Sequence, residues 1–122
     1  MSSDFKAGDI CTYQHSRGTW GFFWILRIDK WPQSEEKIYS LKKFDIHTKD
    51  EIKVSDGSDV EELKQFKLGG HFPITEQKLL ESLPKVIGQK EVQEHDLEGY
   101  RIWKSEFDEG RAGVFTLGLE EI

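Results

Sequence analysis

The sequence predicts an α+β domain: a strongly curved antiparallel sheet of the small-barrel kind, begun by an N-terminal meander, with two or three helices packed on it. Three observations lead there. Residues 19–29, TWGFFWILRID, are apolar on both faces when read with a period of two. Shorter strand-like stretches flank them, separated by turn residues. Beyond residue 58, segments with helical spacing start at capping residues and stop at glycine or proline.

Residues 1–6 read as a lead-in whose Phe5 can fold back onto the core. Ala7-Gly8-Asp9 turns into a first strand, 10–15, and Ser16-Arg17-Gly18 makes a short hairpin connection. In the second strand Trp20, Phe22, Trp24, Leu26 and Ile28 share one face. Gly21, Phe23, Ile25, Arg27 and Asp29 share the other. A strand apolar on both sides at mid-length belongs at the centre of a sheet. A helix here would be apolar all round and built from mediocre helix formers.

Residues 30–36, with Pro32 and Ser34, form a polar connector that carries an unexpected Trp31. The third strand, 37–46, puts Tyr39 and Leu41 on one face, Ile38 and Phe44 on the other. Ile52 and Val54 offer a possible fourth strand, and Asp56-Gly57-Ser58 a turn. Asp59 caps a short helix over 60–66, ended by Gly69-Gly70. Phe72-Pro73-Ile74 is extended, and Thr75 caps a helix over 76–83 with Leu79, Leu80 and Leu83 as its apolar edge before Pro84 stops it. Residues 85–87 read as a short strand. Leu97, Tyr100, Trp103 and Phe107 recur at three and four, favouring a helix over 97–108 with Gly110 at C′, although Tyr100 to Trp103 alone would also suit a strand. Residues 113–117 supply a last strand. There is no internal repeat, and the 122 residues are expected to form a single domain, 1–122, burying about two thirds of the surface of the unfolded chain.

Seventeen basic residues stand against 23 acidic ones, a net charge of −6. The acids concentrate in 45–62 and 91–109, surfaces that repel phosphate backbones and attract basic partners; neither nucleic acid nor membrane is expected as a partner. No apolar run approaches the length of a membrane span. A single cysteine, Cys11, excludes an internal disulfide, and with no signal-peptide pattern at Met1 a reducing cytoplasm is the expected compartment.

The familiar catalytic signatures are missing: no Gly-x-Ser-x-Gly, no P-loop, no dinucleotide glycine pattern, no His-Glu-x-x-His. His15, His47, His71 and His95 are scattered singly, so neither a metal nor another cofactor is expected. Cys11 and His15 share a strand face, but four residues of strand rise hold them about 13 Å apart, too far for a thiolate–imidazole pair. His95-Asp96 has the makings of a base and its orienter, yet on an acidic surface such neighbours are usually only solvated. Glu106, Asp108 and Glu109 lack the spacing of a calcium loop. Trp20 and Trp24 belong to the core pattern, leaving Trp31 and Trp103 as candidate anchors.

The opening, Phe5-Lys-Ala-Gly-Asp-Ile10, followed by a polar turn and Trp20-Gly-Phe-Phe-Trp-Ile-Leu-Arg-Ile28, resembles the start of the bacterial immunity protein 26 family and related small toxin-immunity proteins: a Gly-Asp-hydrophobic strand start, a short turn and a glycine-aromatic strand ending in a basic residue. The resemblance covers about the first thirty residues; the middle of the chain, 60–83, has no part in it. It implies a non-enzymatic cytoplasmic antidote that binds a cognate toxin and blocks its active site, with no catalytic residue to carry over.

The expected function is therefore that of an acidic binding protein. Many toxins of this kind are nucleases and hence basic, and an acidic inhibitor would be steered to them. The expected partner-binding residues are Glu94, Asp96, Glu98, Glu106, Asp108 and Glu109, with Trp31 as anchor. An alternative is a small barrel-like adaptor holding a peptide or ligand in an aromatic cleft of Trp31, Tyr39 and Trp103. A third, an enzyme, needs His95, His71 or Cys11 to meet acids in a pocket.

Overall fold

The computed structural model describes residues 5–15, 18–30, 36–49 and 68–111. The expected strand at Ile52 and Val54, the helix over 60–66, the strand over 113–117 and Trp31 lie outside them. Within them the fold is α+β. Five strands, β1 (Asp9–Gln14), β2 (Trp20–Lys30), β3 (Lys37–Lys43), β4 (Phe72–Thr75) and β5 (Lys85–Gln89), form one antiparallel sheet in the order β4-β3-β2-β1-β5. Among the described residues the sheet is open, with β4 and β5 at its edges, rather than a closed barrel. Two helices, α1 (Glu76–Glu81) and α2 (Glu98–Asp108), accompany it, and a 3-10 turn (Glu94–Leu97) leads into α2.

β2 is the central strand, as its sequence requires. Phe22, Trp24 and Leu26 enter one core with Ile10, Phe44, Ile87 and Leu97. Phe23 and Ile25 enter the other with Cys11, Tyr13, Tyr39, Leu41, Phe72, Ile74 and Leu79. The first core lies on the α2 face of the sheet, through Leu97. The second lies on the α1 face, through Leu79, because the chain crosses from the β4 edge to the β5 edge by way of α1. Tyr39 and Leu41 oppose Phe44 as expected.

A β-bulge corrects one part of the two-face reading. The pairing of β2 with β3 slips between Ile25, opposite Leu41, and Arg27, opposite Ser40. Leu26 is the extra residue, and beyond it every side chain changes face. Ile28 therefore packs on the α1 core, not beside Trp24 and Leu26. Arg27 and Asp29 pass to the α2 face, where both meet Tyr100. A second bulge, between Ile10 and Cys11 where β1 pairs β5, adds to the curvature.

Local chemistry explains the turns. Gly8 (φ +95°) gives its N–H to Ile25 O and accepts from Lys90 N–H at 2.8 Å, tying the lead-in to both β2 and the exit from β5. Buried Asp9 completes the tie: its carboxylate accepts from Lys6 N (2.9 Å) and Gln89 Nε2 (3.0 Å). The Gly8-Asp9 pair is thus a structural clasp.

The third strand ends at Lys43, three residues short of expectation. Past it the chain still follows β2, through Phe44 N–H to Phe22 O and a reciprocal pair between Trp20 and Thr48. Thr75 caps α1 by accepting from Lys78 N. That helix also stops early: Leu83 takes a left-handed φ of +52° before Pro84 and is 81% exposed, so Leu79 alone of the expected edge is fully buried. β5 runs two residues beyond the expected 85–87.

Candidate functional site

α2 forms because its inward residues repeat at helical spacing. Trp103 is buried, with Tyr100 and Phe107 one turn to either side. Gly110 (φ +78°) ends it as C′: Gly110 N–H reaches Phe107 O and Arg111 N–H reaches Glu106 O, the paired bonds of a Schellman ending. Entry is fixed by the 3-10 turn, where Asp96 Oδ2 accepts from Gln93 N–H at 2.9 Å and Leu97 is buried in the core.

The inner side of α2 rests on a polar inlay in the sheet. By register, Arg27 and Asp29 of β2 and Ser40 and Lys42 of β3 share this face, with His71 just before β4. Tyr100 spans them. Its hydroxyl donates to Asp29 Oδ1 (3.2 Å), its ring lies 6.0 Å from His71, and the Arg27 guanidinium stands over it. Trp103 packs on His71 at 5.5 Å and stacks on Phe107 at 4.8 Å, each such pair contributing about 0.5–1.5 kcal/mol. The approach is close: a Cβ on Gly99 would stand 3.0 Å from His71 Cβ.

Three buried atoms of this inlay, Asp29 Oδ2, Ser40 Oγ and His71 Nε2, have no hydrogen-bond partner among the described residues. Burial, aided by the Lys42 charge, lowers the His71 pKa to about 4, so the ring is neutral near pH 7. Burial first, then the charge and hydrogen bond of Asp29, push Tyr100 up to about 12.

The outer side of α2 carries the expected acids, though not as one free patch. Glu94 pairs with Arg101, Asp108 with Lys104 (2.8 Å), and Glu106 holds Arg111 through both carboxylate oxygens. Glu109 stands 4.0 Å from the same Arg111. Asp96, unlike the other five, is buried and turned inward as the cap of the 3-10 turn. Glu98 is exposed and has no ion-pair partner among the described residues. Six carboxylates against Arg101, Lys104 and Arg111 still leave this segment net negative by three.

Sequence reasoning passed over Ile102. It is 63% exposed and lies with Glu94, His95, Glu98 and Arg101 around an open groove of about 450 Å³. The signal was present, since Ile102 is the one strongly apolar residue of α2 outside the Tyr100–Trp103–Phe107 face.

The aromatic cleft does not assemble from Tyr39 and Trp103. Tyr39 is fully buried on the α1 face, its hydroxyl donating to Glu76 (2.8 Å), while Trp103 lies on the α2 face. Cys11 is buried, and desolvation followed by the Asp9 charge pushes its thiol far above the usual range, away from the thiolate that nucleophilic chemistry requires. His95 is largely in solvent, 3.4 Å from an Asp96 already engaged as a cap. Two histidines that look isolated in the sequence, His15 and His47, stand side by side. Among the described residues no group of three or more His, Cys, Asp or Glu could hold a metal, and no helix is long and apolar enough to cross a membrane.

Comparison of the chain with protein-family models, with curated proteins and with solved structures gives no match.

Proposed function

We propose that this chain is a non-enzymatic binding protein that receives a basic protein partner on the outer side of α2, most concretely an immunity protein that blocks a cognate toxin domain, such as a nuclease. The observation that carries the reading is the juxtaposition of exposed Ile102 with Glu94 and Glu98 in one open groove. An apolar contact rimmed by charge is the usual anatomy of a protein interface, with the apolar centre giving affinity and the carboxylates steering a basic surface. Ile102, beside Glu94 and Glu98, adds an anchor to the expected Trp31.

The non-enzymatic half of the reading is supported by the state of the candidate catalysts. Cys11 is held as a buried thiol and His71 is wedged between aromatic rings with its pKa near 4, far from the range a general base near pH 7 needs. The toxin-specific half is supported by the resemblance of residues 5–28.

The test is binding to the variable domain of a secreted protein encoded in the neighbouring reading frame. A 1:1 complex is expected, weakened by salt. Ile102→Ala with Glu98→Lys should weaken it at least tenfold without changing the thermal midpoint of the free protein. Absence of a complex, or one indifferent to both substitutions, overturns the reading.

A further inference from the structure

Beside the connection from β1 to β2, we infer that His15 and His47 form a surface chelating pair for a divalent transition-metal ion of the zinc, copper or nickel class. The two residues are 32 apart in sequence, and the start of β2 brings them together. On one side the hairpin closes with His15 N–H on Thr19 O (2.7 Å) and Gly18 N–H on His15 O (2.9 Å). On the other, the segment after β3 is held to Trp20 by reciprocal bonds with Thr48, the residue after His47. Both imidazoles are therefore borne on backbone anchored to the consecutive residues Thr19 and Trp20, where β2 begins.

The ring geometry fits a shared ion. The Nε2 atoms are 3.1 Å apart, with the rings 4.7 Å between centroids and inclined at 71°. Two nitrogens each about 2.0–2.1 Å from a metal stand about 2.9 Å apart at a right angle and about 3.3 Å apart at a tetrahedral one, so the observed separation falls within the bite of these ions. The Tyr13 ring packs against His15 at 5.1 Å and restricts it, which lowers the ordering needed on binding. His47 is exposed, so an ion has direct access. Among the described residues no group of three or more His, Cys, Asp or Glu gathers here, so the pair itself supplies two ligands. In the absence of metal the same contact serves as an imidazole–imidazole hydrogen bond, with one Nε2–H donating to the other Nε2.

The experiment is titration of the full chain with Zn²⁺ or Ni²⁺ near pH 7.5, followed by calorimetry and by the imidazole carbon–proton resonances. A single 1:1 event is expected that moves or broadens the His15 and His47 signals together and raises the thermal midpoint with metal concentration. His15→Ala or His47→Ala should each lower the affinity at least tenfold, while His95→Ala leaves it unchanged. Circular dichroism and thermal melts of the variants without metal establish that they fold. Should either variant fail to fold, the resonances of the unmodified chain decide, since metal perturbing His71 or His95 in place of this pair refutes the site. Absence of binding to the unmodified chain, or equal binding by all three variants, also overturns it and leaves only the hydrogen bond.

Discussion

The two faces of the sheet share β2 but are built on different principles. The α1 face is an apolar core in which Tyr13, Phe23, Ile25, Tyr39, Leu41 and Ile74 are fully buried. The α2 face is apolar towards β1 and β5 and at Ile38 and Phe44, but along β2 and β3 it also carries Arg27, Asp29, Ser40 and Lys42, with His71 beside them, against aromatic side chains of α2. The bulge at Leu26 makes this division possible. With unbroken alternation Arg27 and Asp29 would fall beside Phe23 and Ile25, and burying two charges there would outweigh much of what the aromatic core contributes. One extra residue instead delivers them to a helix that can use them. The contrast teaches that the α1 face is closed by apolar packing, whereas the α2 face positions a helix whose outer side, Arg101 and Ile102 included, is exposed.

The sharpest way to break the contrast is to truncate β2 on each side in turn. Phe23→Ala and Trp24→Ala each remove a fully buried aromatic side chain, and each should destabilise by about 3–5 kcal/mol in denaturant unfolding. Trp24 also donates from Nε1 to Lys90 O (3.1 Å) and lies under the Lys90 ammonium (4.7 Å), which places it at the upper end. Both variants should retain one cooperative transition, because the two cores share a strand. If Trp24→Ala separated the melting of α2 from that of the sheet, the faces would be independent units.

A smaller effect separates packing on the α1 face from polarity on the other. Gly21 lies opposite Tyr13, whose ring atoms would stand 2.7–2.9 Å from an added Cβ. Tyr13 is fully buried and stacked near Phe23, so it has little room to yield. Gly21→Ala should destabilise by about 1–3 kcal/mol, measured by thermal or chemical unfolding. A neutral result would mean that this face is loosely packed.

On the α2 face, Tyr100→Phe keeps the ring and removes the hydrogen bond to Asp29. Both carboxylate oxygens of Asp29 are then left without a partner among the described residues, and a loss of about 1–2 kcal/mol is expected. Amide exchange should quicken across α2 more than in β1 or β2, whereas a uniform increase would deny the inlay its positioning role.

The aromatic alternation of residues 20–26 made the central strand legible, since Trp and Phe at a period of two leave few other ways to be buried. The inward face of α2 was legible for the same reason. The bulge was not: Leu26 looks like an ordinary member of the alternation, and only the pairing with Ser40 and Leu41 reveals the slip. Leu83 followed helical spacing, but spacing does not record that the chain turns left-handed ahead of Pro84. In the sequence Asp96 looks like the surface acids around it, because composition does not distinguish a solvated carboxylate from one capping a turn. The meeting of His15 and His47 depends on the register of three segments, which no local pattern encodes. Local periodicity thus disclosed the core, while the polar features arose from tertiary register.

The smallest expected effect tests whether the α2 inlay is a buried polar layer at all. The His71 pKa falls from an ordinary 6.5 to about 4 on folding, through burial and the Lys42 charge. Between those values the unfolded chain binds a proton that the folded one does not. The contribution of His71 to stability is therefore complete above pH 6.5 and is lost as pH falls towards 4. The ring is partly exposed and solvent screens it, so the whole change should be no more than about 1 kcal/mol. Other carboxylates titrate in the same range, and the informative quantity is the difference between the unmodified chain and His71→Gln. That difference should shrink in favour of the variant as the solution is acidified from pH 6.5 to 4, then level off. A difference that stays flat would mean that His71 is as well solvated in the folded protein as in the unfolded one, and the polar half of the sheet would be an open surface instead of a layer closed by Tyr100 and Trp103.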